Sequence, residues 1–213
     1  VLRNIILGLS GLILLIVAGA YLVPADVHVE RTVAINAPPE AIFPYINDYR
    51  AFNQWSPWAD RDPDAVYEFS GPPAGIGATI SWSGNDQVGS GTQAITASTF
   101  PSHLETSLDF GDQGVGTAFF DLDLTDTGTD VTWGFDTDMG MNPIARYMGL
   151  MMDGWIGGDY EQGLMNLRDL VEDETSVPRD PDGTPMDPAT LQPAAPSGED
   201  DAMADEEKPT SGK

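Results

Sequence analysis

Apolar and polar residues alternate from Val27 to Ile35, with Val27, Val29, Val33 and Ile35 on one side, which predicts a first strand. Arg31 falls on that apolar side, so either a bulge re-aims it or its guanidinium meets a partner inside. Asn36-Ala37-Pro38-Pro39-Glu40 has the prolines and acid of a helix first turn, followed by an apolar face of Ile42, Phe43 and Ile46, with Pro44 keeping that helix short. Trp55-Ser56-Pro57-Trp58 then predicts an irregular turn carrying two large rings. Six further strands are expected: Ala65 to Ser70, Ala78 to Ser83, Gly89 to Ser98, Leu104 to Phe110, Gly116 to Asp126 and Thr129 to Asp138. The last two form a hairpin about Thr127-Gly128, because Phe120, Leu122 and Leu124 alternate with Asp121 and Asp123, and Val131, Trp133 and Phe135 with Thr132 and Asp136.

The C-terminal helical segment carries two apolar stripes. At about 100° per residue, Ile144, Met148, Met151, Met152 and Trp155 share one face, while Ile156, Tyr160, Leu164, Leu167, Leu170 and Val171 share a face turned by roughly 120°. Gly157-Gly158 sits at the jump, so the expectation is a helix from Pro143 that breaks there and resumes from about Gly158 to Val171.

The two ends differ from this middle part. Residues 1–24 contain an uncharged run of 19, Ile5 to Val23, which at about 1.5 Å per residue matches the bilayer hydrocarbon thickness. Arg3 precedes it and Asp26 and Glu30 follow, so the positive-inside rule puts the N-terminus in the cytoplasm and the remaining chain outside. A cleaved signal peptide is the alternative, since Ala18-Gly19-Ala20 offers small residues at a suitable spacing. Residues 173–213 carry seven prolines, eleven acids against three bases and no aromatic, which predicts a disordered acidic tail. One α+β domain, residues 25–172, is left between them, holding all five Trp.

The whole chain has 9 Lys and Arg against 34 Asp and Glu, a net charge of −25, which excludes nucleic acid as a partner. The absence of Cys excludes disulfides and thiolate chemistry. His28 and His103 are far apart in sequence and read as strand-edge imidazoles rather than an acid–base pair. Asp121, Asp123, Asp126 and Asp130, and Asp60, Asp62 and Asp64, lack the glycine and closing glutamate of a calcium loop and read as solvated carboxylates; no metal site or cofactor is expected. Asp153, Asp159 and Glu161 lie near the jump in the helix, where Asp159 and Glu161 would cap a second segment. The residues suited to an adaptable apolar cavity are Trp55, Trp58, Trp82, Phe120, Trp133, Met148, Met152 and Trp155, each of which would otherwise serve as plain core.

Four separated segments, Val27-His28-Val29-Glu30-Arg31, Ile35-Asn36-Ala37-Pro38-Pro39-Glu40, Trp55-Ser56-Pro57-Trp58 and Ile156-Gly157-Gly158-Asp159-Tyr160-Glu161-Gln162-Gly163-Leu164, resemble in order the SRPBCC or START-like superfamily. That superfamily contains polyketide cyclases, aromatases, lipid-transfer proteins and birch-pollen-allergen-like proteins, and the anchor ahead of the domain resembles a membrane-anchored bacterial subgroup. The resemblance implies a helix-grip fold, a curved antiparallel sheet of about six or seven strands around a long C-terminal helix, with a deep apolar cavity. It carries over no catalytic residue. Three functions remain open: a membrane-tethered module that binds or shuttles an apolar small molecule such as a lipid, a polyketide cyclase or dehydratase-like enzyme, and a ligand-free scaffold for a partner protein.

Overall fold

Seven strands pair antiparallel throughout in the order β1-β7-β6-β5-β4-β3-β2. They are β1 Asp26–Ile35, β2 Val66–Ser70, β3 Thr79–Ser83, β4 Ser90–Thr99, β5 His103–Asp109, β6 Val115–Thr125 and β7 Gly128–Asp138. The helices are α1 Leu2–Ala20, α2 Pro39–Asn47, α3 Tyr49–Phe52 and α4 Pro143–Ser176. These elements come from a computed structural model that describes residues 2–59 and 61–176. The expected disordered tail falls outside the described residues from 177 onward, and α4 extends to Ser176, into the stretch expected to lack structure.

Strand alternation gives the sheet one apolar face. Pairing Val29 with Phe135 and Val33 with Val131 between β1 and β7, and Phe120 with Trp133 and Leu122 with Val131 between β6 and β7, puts the large apolar side chains on the same side. The register shifts between Ile95 and Ala97 of β4, an irregularity of the kind that bends a strand. On this inner face lie α2, through Ile42, Phe43 and Ile46, and the second half of α4, through Tyr160, Leu164, Leu167 and Val171, all buried. The result is the α+β helix-grip architecture.

The expected break in α4 is absent: the helix runs unbroken through Gly157 and Gly158. Its two apolar stripes are two faces of one helix. The second faces the sheet, whereas Ile144, Met148, Met151 and Trp155 are exposed on the outside. Gly157 answers a different need, because a Cβ there would collide with the Arg31 guanidinium. Arg31 keeps its regular place in β1 opposite Trp133 without a bulge, and crosses to α4 to pair with Asp153 at 2.9 Å. That contact holds the exposed Asp153 carboxyl below its ordinary pKa. Asp159, expected as a helix cap, is instead in mid-helix, where Arg61 Nη1 donates to it at 2.9 Å and Nη2 reaches its other oxygen; Glu161 is also in mid-helix.

Candidate functional site

Between the inner face of the sheet and α4 is a cavity of about 220 Å³. Neighbouring strands feed its wall in sequence: Ile80 and Trp82 from β3, Gln93 from β4, Leu108 from β5, Ala118 from β6, and Trp133 and Phe135 from β7. From α4 come Met152, Ile156 and Tyr160, four residues apart along one side of the helix. Phe52 of α3, Tyr67 of β2 and Phe110 after β5 also line it, and Asn53, Ser56, Trp58 and Val88 come from the segments after α3 and β3.

These closing pieces are held by specific bonds. Trp82 Nε1 donates to the Val88 carbonyl at 3.3 Å, and Gly91 leaves room for that indole, since a Cβ there would come within 2.5 Å of the ring. The Asn85 side chain accepts from the backbone N–H groups of Gln87 and Val88 at 2.8 and 3.2 Å, forming the local turn that returns the chain to β4. Buried Asp62 accepts from Asn85 N–H at 2.6 Å and Asp64 N–H at 3.2 Å, so this acid anchors a loop. Asp60 lies outside the described residues.

One wall is an aromatic stack. Trp133 lies on Tyr160 with ring centres 4.0 Å apart and planes 7° from parallel, and on Phe120 at 5.0 Å. Trp55, Trp58 and Phe52 meet Trp133 edge-on at 5.3, 5.6 and 5.7 Å. Trp55 is fixed from both ends: its Nε1 donates to the Tyr45 carbonyl at 3.0 Å and its carbonyl accepts from Asn166 Nδ2 at 3.1 Å.

Of the eight residues expected at a cavity, Trp58, Trp82, Trp133 and Met152 line it. Trp55 and Phe120 sit behind the wall, packed on Trp133. Met148 and Trp155 do not reach it, because they belong to the outer stripe of α4 and are both 48% exposed. Gln93, Ala118, Phe135, Ile156 and Tyr160 line the cavity too and are not among those eight. Phe135 follows Trp133 by two along β7, and Ile156 and Tyr160 follow Met152 at helical intervals, so periodicity held that signal.

The polar groups on the wall include Asn53, Ser56, Tyr67, Gln93 and Tyr160; among the described residues no carboxylate, imidazole or ammonium lines it. Gln93 Nε2 donates to Thr106 Oγ1 at 2.9 Å, and Thr106 in turn donates to the Ala118 carbonyl at 3.3 Å. Burial raises the pKa of both the Tyr67 and the Tyr160 hydroxyls, which keeps them protonated donors.

The histidines lie on strands at the sheet surface, away from the cavity. His103 Nδ1 is 2.7 Å from Asp121, and His28 Nδ1 is 2.7 Å from Asp136 with Nε2 3.3 Å from Glu30. The bond to Asp136 raises the His28 pKa above 6.5. A raised folded-state value means the contact stabilises the fold fully at pH below the unfolded-state value and is lost as pH rises through the folded one. Asp136→Asn is therefore expected to return the His28 midpoint in an NMR titration towards 6.5 and to cost stability only in acid. An unchanged midpoint would show that Asp136 does not set it.

A family model described as polyketide cyclase/dehydrase and lipid transport matches residues 26–172. Among solved structures, the chain is similar to the di-domain ARO/CYC StfQ from the steffimycin biosynthetic pathway, at 10% identity and TM-score 0.55, over 72% of this chain and 53% of that one. It is also similar to SA2116 of Staphylococcus aureus, a protein of unknown function, at 11% identity and TM-score 0.55, over 70% and 96%. A Rhodobacter sphaeroides protein is similar at 17% identity and TM-score 0.51, over 69% and 93%. At such identities the likeness is one of fold. No curated protein matches the chain.

Proposed function

The chain belongs to the polyketide cyclase/dehydrase and lipid transport family, and from that premise we propose that it is a membrane-tethered module that binds an apolar small molecule in the cavity between sheet and α4. The observation that carries this reading is the wall itself: mostly rings and aliphatic side chains, with neutral polar groups able to orient a ligand. Size narrows the ligand. An apolar cavity of about 150 Å³ can hold benzene, so a volume of about 220 Å³ suits a small ring system or a short acyl segment rather than an entire phospholipid.

The tether is α1, which is long and apolar enough to cross a bilayer and is exposed from Leu2 to Ala18. Its N-terminal Arg3 favours a cytoplasmic start and a domain on the far side of the membrane. Retention rather than cleavage is supported by the Tyr147 hydroxyl, which donates to the Ile16 carbonyl within α1 at 2.8 Å.

A second reading, a cyclase or dehydratase-like enzyme, draws on Gln93, Tyr67 and Tyr160, which could hold a polyketone in one fold of its chain while the hydroxyls donate to its carbonyls. Native mass spectrometry of residues 25–176, exposed to bacterial lipid extract and stripped of excess, tests the leading reading. One bound ligand per chain is expected, and an empty protein after every extract would overturn it. Conversion of a linear poly-β-ketone to a cyclised product would favour the second.

A further inference from the structure

From Pro143 to Gly158 the only charges on α4 are Arg146 and Asp153, in a chain of net charge −25. Each is bound to another part of the fold, although the Asp153 carboxylate stays largely exposed beside its partner Arg31. Arg146 donates to the carbonyls of Gly140 at 2.8 Å and Val23 at 2.9 Å, and Asp153 pairs with Arg31. What remains outside is apolar: Ile144 is 70% exposed, Leu150 63% and Met151 53%, with Met148 and Trp155 beside them. Beyond Gly158 the exposed face becomes ordinary, with Glu161, Gln162 and Asp169. A contiguous apolar face on half of one helix marks a contact surface rather than scattered exposure.

The neighbouring chain says what it contacts. The start of α4 and the residue two before it are bound to the end of α1 and the three residues after it by the Tyr147 to Ile16 bond, by Arg146 on the Val23 carbonyl, and by the Tyr21 hydroxyl on the Met141 carbonyl at 3.2 Å. The Arg146 guanidinium also lies 5.4 Å from the centre of the Tyr21 ring. Tyr, Trp and Arg are the residues that favour the headgroup level of a bilayer. Where α1 leaves the membrane, α4 is therefore beside it.

We propose that the outer face of Ile144, Met148, Met151 and Trp155, with the exposed Leu150 at its flank, lies in the interfacial layer of the same bilayer that α1 enters. This rests on the reading of α1 as a membrane anchor. A helix held this way buries its apolar side about 5–10 Å into the boundary between headgroups and acyl chains. A second copy of the chain is a poorer occupant, because each copy brings a net charge of −25. The arrangement sets the cavity close to the acyl layer: Met152, which lines the cavity, directly follows Met151. An apolar ligand would then pass between bilayer and cavity without crossing bulk water.

The absence of native Cys allows a clean test on the full chain in phosphatidylcholine vesicles. Single variants Met148→Cys, Met151→Cys, Gln162→Cys, Asp169→Cys and Leu12→Cys are spin-labelled, and each label's collision rate with oxygen is compared with that of a water-soluble nickel chelate. The oxygen-to-nickel ratio is expected to be several-fold higher at 148 and 151 than at 162 and 169, with 12 highest. If 148 and 151 match 162 and 169 while 12 reads as bilayer, docking is wrong and the anchor stands. If 12 also reads as water, the anchor reading falls and docking falls with it. Spin–spin broadening at 148 or 151 would mean that a second copy covers the face, which also overturns the proposal.

Discussion

Trp133→Ala is expected to lower the unfolding midpoint of the domain by roughly 10 °C, the equivalent of about 3–5 kcal/mol. Trp133 is 3% exposed and touches five other rings, so truncation removes a large apolar area and also leaves Tyr160, Phe120 and Trp55 without the surface they pack on. Stiff neighbours cannot collapse into the space. Tyr160 comes from α4, Phe120 from β6 and Trp55 from the turn after α3, and each is held by its own element. The existing cavity would grow towards Trp55, so the variant should also bind larger apolar probes if it remains folded. Trp155→Ala is the control, because that ring is on the outer face of α4 and its loss in water should change stability by less than about 0.5 kcal/mol. Calorimetry on both variants checks the contrast. Equal losses would mean that the ring cluster is not the centre of the core.

Ala118→Phe is expected to reduce ligand retention at least about tenfold while leaving the domain folded. Ala118 is 2% exposed on β6, opposite Phe135 of β7 and Thr106 of β5, and forms part of the cavity floor. A ring attached there would occupy much of the roughly 220 Å³ that a ligand needs. Filling a cavity commonly stabilises a fold, whereas forcing a side chain into packed space costs about 1–3 kcal/mol. A midpoint near or above that of the parent chain would therefore show that the space was empty in the free protein. Undiminished ligand retention by a folded variant would place the binding site elsewhere and overturn the cavity reading.

The strands were legible because alternation is a local property. Val29 and Val33 must share a side whatever β1 pairs with, and the same holds for Phe120 and Leu122 on β6. The short α2 was equally plain, since Pro38-Pro39 opens it and Ile42, Phe43 and Ile46 form its one apolar face. The cavity was half legible. Trp58, Trp82, Trp133 and Met152 could be named from size and flexibility, but the same criteria also selected Met148 and Trp155, which point the other way. Gln93 and Ala118 escaped, because a small or polar residue becomes part of a cavity wall only through what its neighbours leave unfilled.

The composition and periodicity of the chain determined an apolar N-terminal helix, seven strands and a helical C-terminal segment, since each depends on residues close in sequence, while their order carried the resemblance that implied an antiparallel sheet around one long helix. Tertiary structure alone decided which stripe of α4 is core. Two apolar faces on one segment look the same as a break between two helices until the sheet covers one of them. It also decided the fate of Arg31, whose place on the apolar side of β1 is resolved by Asp153 and by the bare backbone of Gly157, both supplied by α4 from the far end of the domain. An ion pair and a close approach of that kind have no signature in the local sequence, because the distance between partners is set by how the elements pack.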